Sequence, residues 1–336
     1  MWSMNRKDFL ASMVALGGTA LASATNLQEW DKMADLAITE EVYSVKKRKR
    51  KIDQTKCVLL SDIHICGELE NGIPKHYPYN PTCLKLRIAE ILAMKRLPAH
   101  VLVFGDVAWD HGLEEDYQYA GQLLKELEEA GIRVTLGLGN HDRRMPFFKT
   151  FPSYNDSTKV PGRVVSVIEM PDVDIVLLDS LAELPNLKLH QSTTVSGEIN
   201  EEQIEWLRSF LKGRTRPVIL GAHHPLQEMS NLRNLISESP IVAGYIYGHT
   251  HIWNKSAYII RPRKGIHMIP TVGLPATFYG DIGFAVLHST PEAAIFEYSS
   301  KGFWWPQPSD NPPKEWAMRS EDLRNEQCTF LLKKCL

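Results

Sequence analysis

Val101-Leu102-Val103-Phe104-Gly105-Asp106 is the stretch on which the fold turns. Four apolar, strand-favouring residues run into a glycine, and the glycine hands the chain to a carboxylate. The same ending recurs four times. Asp62-Ile63-His64 follows the apolar run Cys57–Ser61, and Gly139-Asn140-His141-Asp142 follows Val134–Leu138. His223-His224-Pro225 follows Val218–Gly221, and Gly248-His249-Thr250-His251 follows Tyr245–Tyr247. In α/β sheets the edge where strands end is where loops converge and ligands bind, so residues far apart in sequence meet there. Glycine precedes the polar group at 105, 139 and 248, where it lets the backbone turn sharply off the strand.

Outward from these segments the pattern stays regular. Further strand-like runs are Asp174–Leu178, His267–Val272, Phe284–His288 and Ala293–Tyr298. Between the early strands, Thr82–Arg96 carries Leu84, Ile88, Ile91 and Leu92 on one helical face, and Glu114–Ala130 carries Tyr119, Leu123, Leu124 and Leu127. Asn200-Glu201-Glu202-Gln203 reads as a capped start to a helix bearing Ile204, Leu207 and Leu211. Strand–helix alternation in the first half predicts parallel pairing with helices outside. The strand-rich second half predicts a second sheet packed on the first.

The 336 residues are 43% hydrophobic and 23% charged, ordinary values for a globular protein. A net charge of −2 and a pI near 6.6 give no electrostatic case for nucleic acid. After the N-terminus no apolar stretch is long enough to span a bilayer, so no transmembrane segment is expected in the mature chain. The first 24 residues differ from the rest. Arg6-Lys7-Asp8-Phe9-Leu10, a weakly apolar middle and Ala22-Ser23-Ala24 predict an export signal of twin-arginine-like or secretory type and a periplasmic protein, with a cytoplasmic one as the alternative. Residues 25–55 form a polar lead-in that ends in the basic run Lys46–Lys51, read as a solvated approach to the first strand. Residues 56–300 form the main domain, and 301–336 a tail that wraps the surface. The five cysteines lack any CxxC pair, which excludes a zinc ribbon. Sequence leaves open whether Cys328 and Cys335 pair, and it leaves the oligomeric state open.

The five segments supply carboxylate, amide and imidazole donors, a mixture that Mn²⁺, Fe²⁺ and Zn²⁺ accept. Asp62 and His64 are two apart, so on a straight strand both point the same way, and His249 and His251 repeat that spacing. Asp106 has two oxygens with which to bridge two ions, and Asn140 offers a neutral carbonyl oxygen.

In identity, order and context these residues resemble the calcineurin-like metallophosphoesterase superfamily, whose pattern is DxH, GD, GNH(D/E), H and GHxH. The resemblance runs from about Lys56 to Trp253 and more loosely to Tyr298. It is strongest to the bacterial cyclic-nucleotide phosphodiesterase group. It implies a four-layer α/β/β/α sandwich of two mixed sheets flanked by helices, with a dinuclear metal site at the strand C-terminal ends. It also implies two divalent ions, one held by Asp62, His64, Asp106 and His251, the other by Asp106, Asn140, His223 and His249. Where one branch of the superfamily has a tyrosine ligand this chain has Trp109, so an iron–tyrosinate site is not expected.

The reaction so implied is phosphoester hydrolysis, in which two ions bind the phosphoryl oxygens and acidify a shared water for in-line attack on phosphorus. His141 then faces the leaving group, with Asp142 holding its imidazole. His111, Arg143 and His224 are candidate substrate contacts, with Arg144 beside them. The loop Gly67–Pro81, with His76, Tyr77 and Tyr79, can stack on an aromatic group. The substrate expected is a small phosphodiester or a nucleotide. A phosphomonoester or a nucleotide-linked pyrophosphate is the alternative, and a metal-bound scaffold without catalysis is the alternative of another class.

Overall fold

The structure, a computed structural model, describes residues 50–78, 80–184, 194–260, 267–304 and 326–332. The export-type segment 1–24, most of the lead-in, Tyr79 and Cys335 lie outside the described residues. The chain begins with β1 (Ile52–Leu60), a short hairpin β2 (Leu69–Glu70) and β3 (Ile73–Pro74), then α1 (Asn80–Leu92) and β4 (Leu97–Val103). There follow α2 (Glu114–Glu129), β5 (Arg133–Leu136), α3 (Arg144–Thr150) and α4 (Pro152–Ser157). The second half holds β6 (Ser166–Glu169), β7 (Asp174–Leu177), α5 (Glu201–Leu211), β8 (Val218–Gly221), α6 (Ser230–Ser237) and β9 (Val242–Tyr247). It closes with β10 (Asn254–Ile260), β11 (His267–Gly273), β12 (Gly280–Ser289), β13 (Ala293–Trp304) and β14 (Gln327–Leu331).

Two six-stranded mixed sheets result, in the orders β14-β13-β12-β1-β4-β5 and β10-β11-β9-β8-β7-β6. The motif-bearing strands pair in parallel: β1 with β4, β4 with β5, and β8 with β9. The period-2 alternation of each strand sorts its side chains into layers. Val58, Leu60, Val101 and Val103 face the first helical layer with Leu84, Ile88, Leu124 and Leu127. Their neighbours Cys57, Leu59, Leu102 and Phe104 face the second sheet, against Ile175, Leu177, Ile219 and Ile246. On that sheet's far side Val176, Leu178 and Leu220 pack on Ile204, Leu207, Leu232 and Leu235. Three stacked cores between four layers make the expected α/β/β/α sandwich.

Local chemistry accounts for the helix that leads into the site. Glu114, Glu115 and Asp116 fill the first turn of α2, where negative charge suits the helix dipole. Tyr117, Ala120, Leu123, Leu124 and Leu127 form its buried stripe. Gly131, at φ +86°, ends the run. Arg50, the fifth residue of the basic run, is structural rather than solvated. Its guanidinium donates to the carbonyl of Leu92, where α1 ends, and at 2.7 Å to that of Met94 just beyond. Residues Gln327–Leu331, read as surface wrapping, are instead the edge strand β14, which pairs with β13 and buries Phe330 between the sheets. Asn200 does precede α5, but without a side-chain bond to the helix backbone; its Oδ1 accepts from Gln203 Nε2 at 2.9 Å.

Candidate metal centre

β1, β4 and β5 of one sheet and β8 and β9 of the other deliver their motifs to the same edge. The convergence does not use the strand pleat, as the i, i+2 spacing suggested. β1 stops at Leu60, and both Asp62 and His64 lie beyond it in the left-handed backbone region, at φ +53° and +44°. Asp106 (+50°), His249 (+65°) and His251 (+56°) do the same. That region disfavours every residue except glycine, so each such turn is held by its surroundings. Asp62 N–H donates to Gly105 O at 3.1 Å and His64 N–H to Asp106 O at 3.0 Å, which locks two of these loops together. Gly105 does make a left-handed turn, at φ +86°. Gly139 and Gly248 answer a different need, close approach. A Cβ at 139 would lie 2.2 Å from Asp106 Oδ1, and one at 248 would lie 2.0 Å from Ser61 Oγ.

The donor atoms gather in two groups. One atom from each of Asp62, His64, Asp106 and His251 lies within 4.8 Å of all the others, and so it is for His223, His224 and His249. Asn140 joins the second group, its Oδ1 3.1 Å from His223 Nε2 and 2.9 Å from His249 Nδ1. Asp106 Oδ2 lies 3.5 Å from His64 Nε2 and 3.1 Å from His223 Nε2, between the groups. The other oxygen of Asp106 accepts the His141 backbone N–H at 2.9 Å.

The outer partners set the histidine tautomers. His64 Nδ1 donates to Trp109 O at 3.0 Å, and His223 Nδ1 to Phe104 O at 2.8 Å. Both rings thereby turn Nε2 toward the centre, the orientation that metal-holding imidazoles require. Burial pushes His64 down to about 4 and so keeps it neutral. Burial opposes charge at Asp62 too, yet His251 and His223 hold its carboxyl at about 2. His223 rises to about 9 despite burial, because the Asp106 carboxylate pairs with it by charge and hydrogen bond. Buried carboxylates that already draw positive charge onto His223, with the neutral His64 and an amide oxygen beside them, fit two divalent cations, which would replace the His223 proton as countercharge.

His141 stands apart from the donors, with its ring edge-on to His64 at 4.8 Å. Its imidazole is held by Asp110, not by Asp142. Asp110 Oδ1 accepts a hydrogen bond from His141 Nδ1–H at 2.8 Å, while its other oxygen lies 3.3 Å from His111 Nε2. The Asp142 carboxylate is fully buried and ties loops instead, accepting from Val107, Ala108 and Gly139 N–H at 3.2, 2.9 and 2.8 Å. Burial and the nearby Asp106 carboxylate raise it to about 7. Sequence order pointed to Asp142 because it adjoins His141, but adjacent residues on this turn face opposite ways.

The remaining candidates divide. His224 is sealed at 0% exposure, packed on His223 and His249 with Nδ1 2.8 Å from Ser180 Oγ. Arg144 is committed to Asp179 by two bonds of 2.8 and 2.9 Å and to Glu183 at 3.2 Å. Arg143 is nearly buried and lines a groove of 810 Å³ with Gly112, Met145 and Phe148; among the described lining residues none is a metal donor. His111 remains at the rim beside Asp110. Sequence reasoning missed Phe278, whose ring packs edge-on to His64 at 5.5 Å; a lone aromatic in the loop after β11 carries no signal for this.

The family model for calcineurin-like phosphoesterases matches residues 55–253, which span every one of these donors. The chain belongs to the calcineurin-like phosphoesterase family. The chain is 28% identical over 211 residues to a probable cyclic nucleotide phosphodiesterase from Rhodococcus erythropolis, a match that covers 58% of the chain and 64% of the relative. It thus spans less than two thirds of that relative's length. A second probable cyclic nucleotide phosphodiesterase, from Rhodopseudomonas palustris, is 28% identical over 255 residues, covering 69% and 78%. Among solved structures, a dimetal phosphatase from Danio rerio superposes with a TM-score of 0.50 at 14% identity, over 74% of this chain and 96% of that one. The last likeness concerns the fold alone. No helix among the described residues is long and apolar enough to cross a membrane.

Proposed function

We propose that the chain is a metal-dependent phosphodiesterase of small diesters, with Asp62, His64, Asp106 and His251 holding one divalent ion and Asp106, Asn140, His223 and His249 the other. The observation that carries this reading is the position of Asp106 Oδ2 between the two donor groups, beside a histidine that belongs to neither. The names of the two relatives favour a diester over a monoester. When bound, such ions supply Lewis acidity toward phosphoryl oxygens and lower the pKa of a water they hold.

The chain's own groups do the rest. Asp110 fixes the His141 ring through Nδ1, so Nε2 is the nitrogen left to give a proton to the departing oxygen or to stabilise its charge. Trp109 O and Phe104 O hold His64 and His223 in the tautomer that exposes Nε2. Asp142, by gathering three N–H groups, keeps the Asp106 and Asn140 turns at the spacing that both donor groups need.

Hydrolysis of bis-p-nitrophenyl phosphate compared with p-nitrophenyl phosphate, with Mn²⁺ and with chelator, tests the reading. Turnover that needs metal and favours the diester is expected. Preference for the monoester would move the assignment to a phosphatase. Metal-loaded protein inert to both would favour the scaffold alternative.

A further inference from the structure

Beside the Asp62–His64–Asp106–His251 group stands a cluster of aromatic rings drawn from three loops. Phe278, buried, is its floor and packs against the metal-donor rings of His64 at 5.5 Å and His251 at 6.2 Å. Tyr77 leans on Phe278 at 5.4 Å and meets Trp109 edge-on at 4.5 Å. Tyr279 adjoins Phe278 at 6.2 Å and sets its ring edge-on to His251 at 5.2 Å. His76 covers Trp109 as a parallel stack at 5.0 Å and 11°.

A cluster serving only the core would be buried throughout, as Phe278 is. Tyr77, Trp109 and Tyr279 stay half-buried, so aromatic surface reaches solvent beside the candidate donors. Tyr77 also sits in the left-handed region at φ +42°, where a tyrosine is held only by its surroundings. Its phenol is raised by burial and then by Tyr279 and Asp110, which places both those groups near it. Asp110 is the residue that holds His141. The wall therefore lies on the His141 side of the centre, where a leaving group would depart.

We propose that Tyr77 and Tyr279, backed by Trp109 and Phe278, select phosphoesters whose leaving group carries a planar aromatic ring. The inference rests on the phosphoryl anchoring proposed above, since an anchored phosphorus is what brings the ring to the wall. Edge and offset contacts between rings change affinity by up to about tenfold.

Phenylphosphonate and methylphosphonate share the phosphoryl anchor and differ only in the ring, and calorimetric titration of Mn²⁺-loaded protein compares them without any turnover. The phenyl compound should bind about tenfold tighter. Tyr77→Leu and Tyr279→Leu should each cut that ratio toward twofold, and Tyr77→Phe, which keeps the ring, should preserve it. Equal affinities in the unaltered protein would overturn the proposal, as would an unchanged ratio in both leucine variants. Failure of both phosphonates to bind metal-loaded protein would overturn it together with the anchoring. Absent turnover of bis-p-nitrophenyl phosphate with the ratio intact would remove only the phosphodiesterase reading and leave the wall supported.

Discussion

Asp110 gives one oxygen to His141 and holds the other near His111, and it lies at the rim of the site. Exchange for asparagine keeps its shape and removes its charge. Asp110→Asn should lower kcat about tenfold with metal content unchanged by elemental analysis, because the imidazolium form of His141 loses its partner. His141→Ala should lower kcat by about 10²–10³ with the metals retained, and an unchanged rate would dismiss it as the proton donor. Asp142→Ala should behave differently, since three buried N–H groups would lose their acceptor. A loss of at least about 2 kcal/mol in a urea melt is expected, along with weakened metal retention. The two carboxylates could not be told apart by order in the chain. Asp142 is next to His141 in sequence, whereas Asp110 is 31 residues away and reaches it through the fold.

Among elements, the Arg144–Asp179 pair joins the start of α3 to the end of β7, and so one sheet's helices to the other sheet. Asp179 is fully buried, and Arg144→Ala would leave it without its guanidinium. A loss of about 3 kcal/mol by denaturant melt is expected, more than for surface ion pairs. His100 on β4 shares its Nε2 with Arg133 of β5 at 2.8 Å and is pushed down to about 4 by burial and then by that arginine. Its ordinary value is 6.5. Between those values the unfolded chain binds more protons than the folded one, so stability falls as pH drops from 6.5 toward 4. His100→Gln should flatten that slope, an effect of at most about 3 kcal/mol in paired melts across the window. The buried strands and the longer helices were legible because apolar runs and 3.6-residue stripes mark them. β10 was not: its sequence, Asn-Lys-Ser-Ala-Tyr-Ile-Ile, begins polar and lies at a sheet edge. Nor was β14, whose one fully buried side chain, Phe330, cannot be found without knowing the sheet it covers. The candidate donors were all readable as motifs, while the ring cluster required three loops to be placed in space.

For the molecule as a whole, the candidate donors come from both sheets: Asp62, Asp106 and Asn140 from one, His223 and His249 from the other. Ions bound there would tie the sheets together. Mn²⁺ at a hundred times its dissociation constant should therefore stabilise the fold by about 2.7 kcal/mol, and chelator should lower Tm by roughly 5 °C or more in calorimetry. A Tm indifferent to metal would contradict binding across the two sheets. The left-handed turns at Asp62, His64, Asp106, His249 and His251 extend this point to the chain's history. Each asks a side-chain-bearing residue to adopt a backbone form that costs about 1 kcal/mol and that glycine adopts freely. Keeping carboxylate and imidazole side chains there for an ion would thus work against a durable fold at the same five positions. In the presence of chelator His251→Gly should melt above His251→Ala. A descendant released from its chemistry would be expected to drift toward glycine where the donors stood, and to outlast its parent in heat.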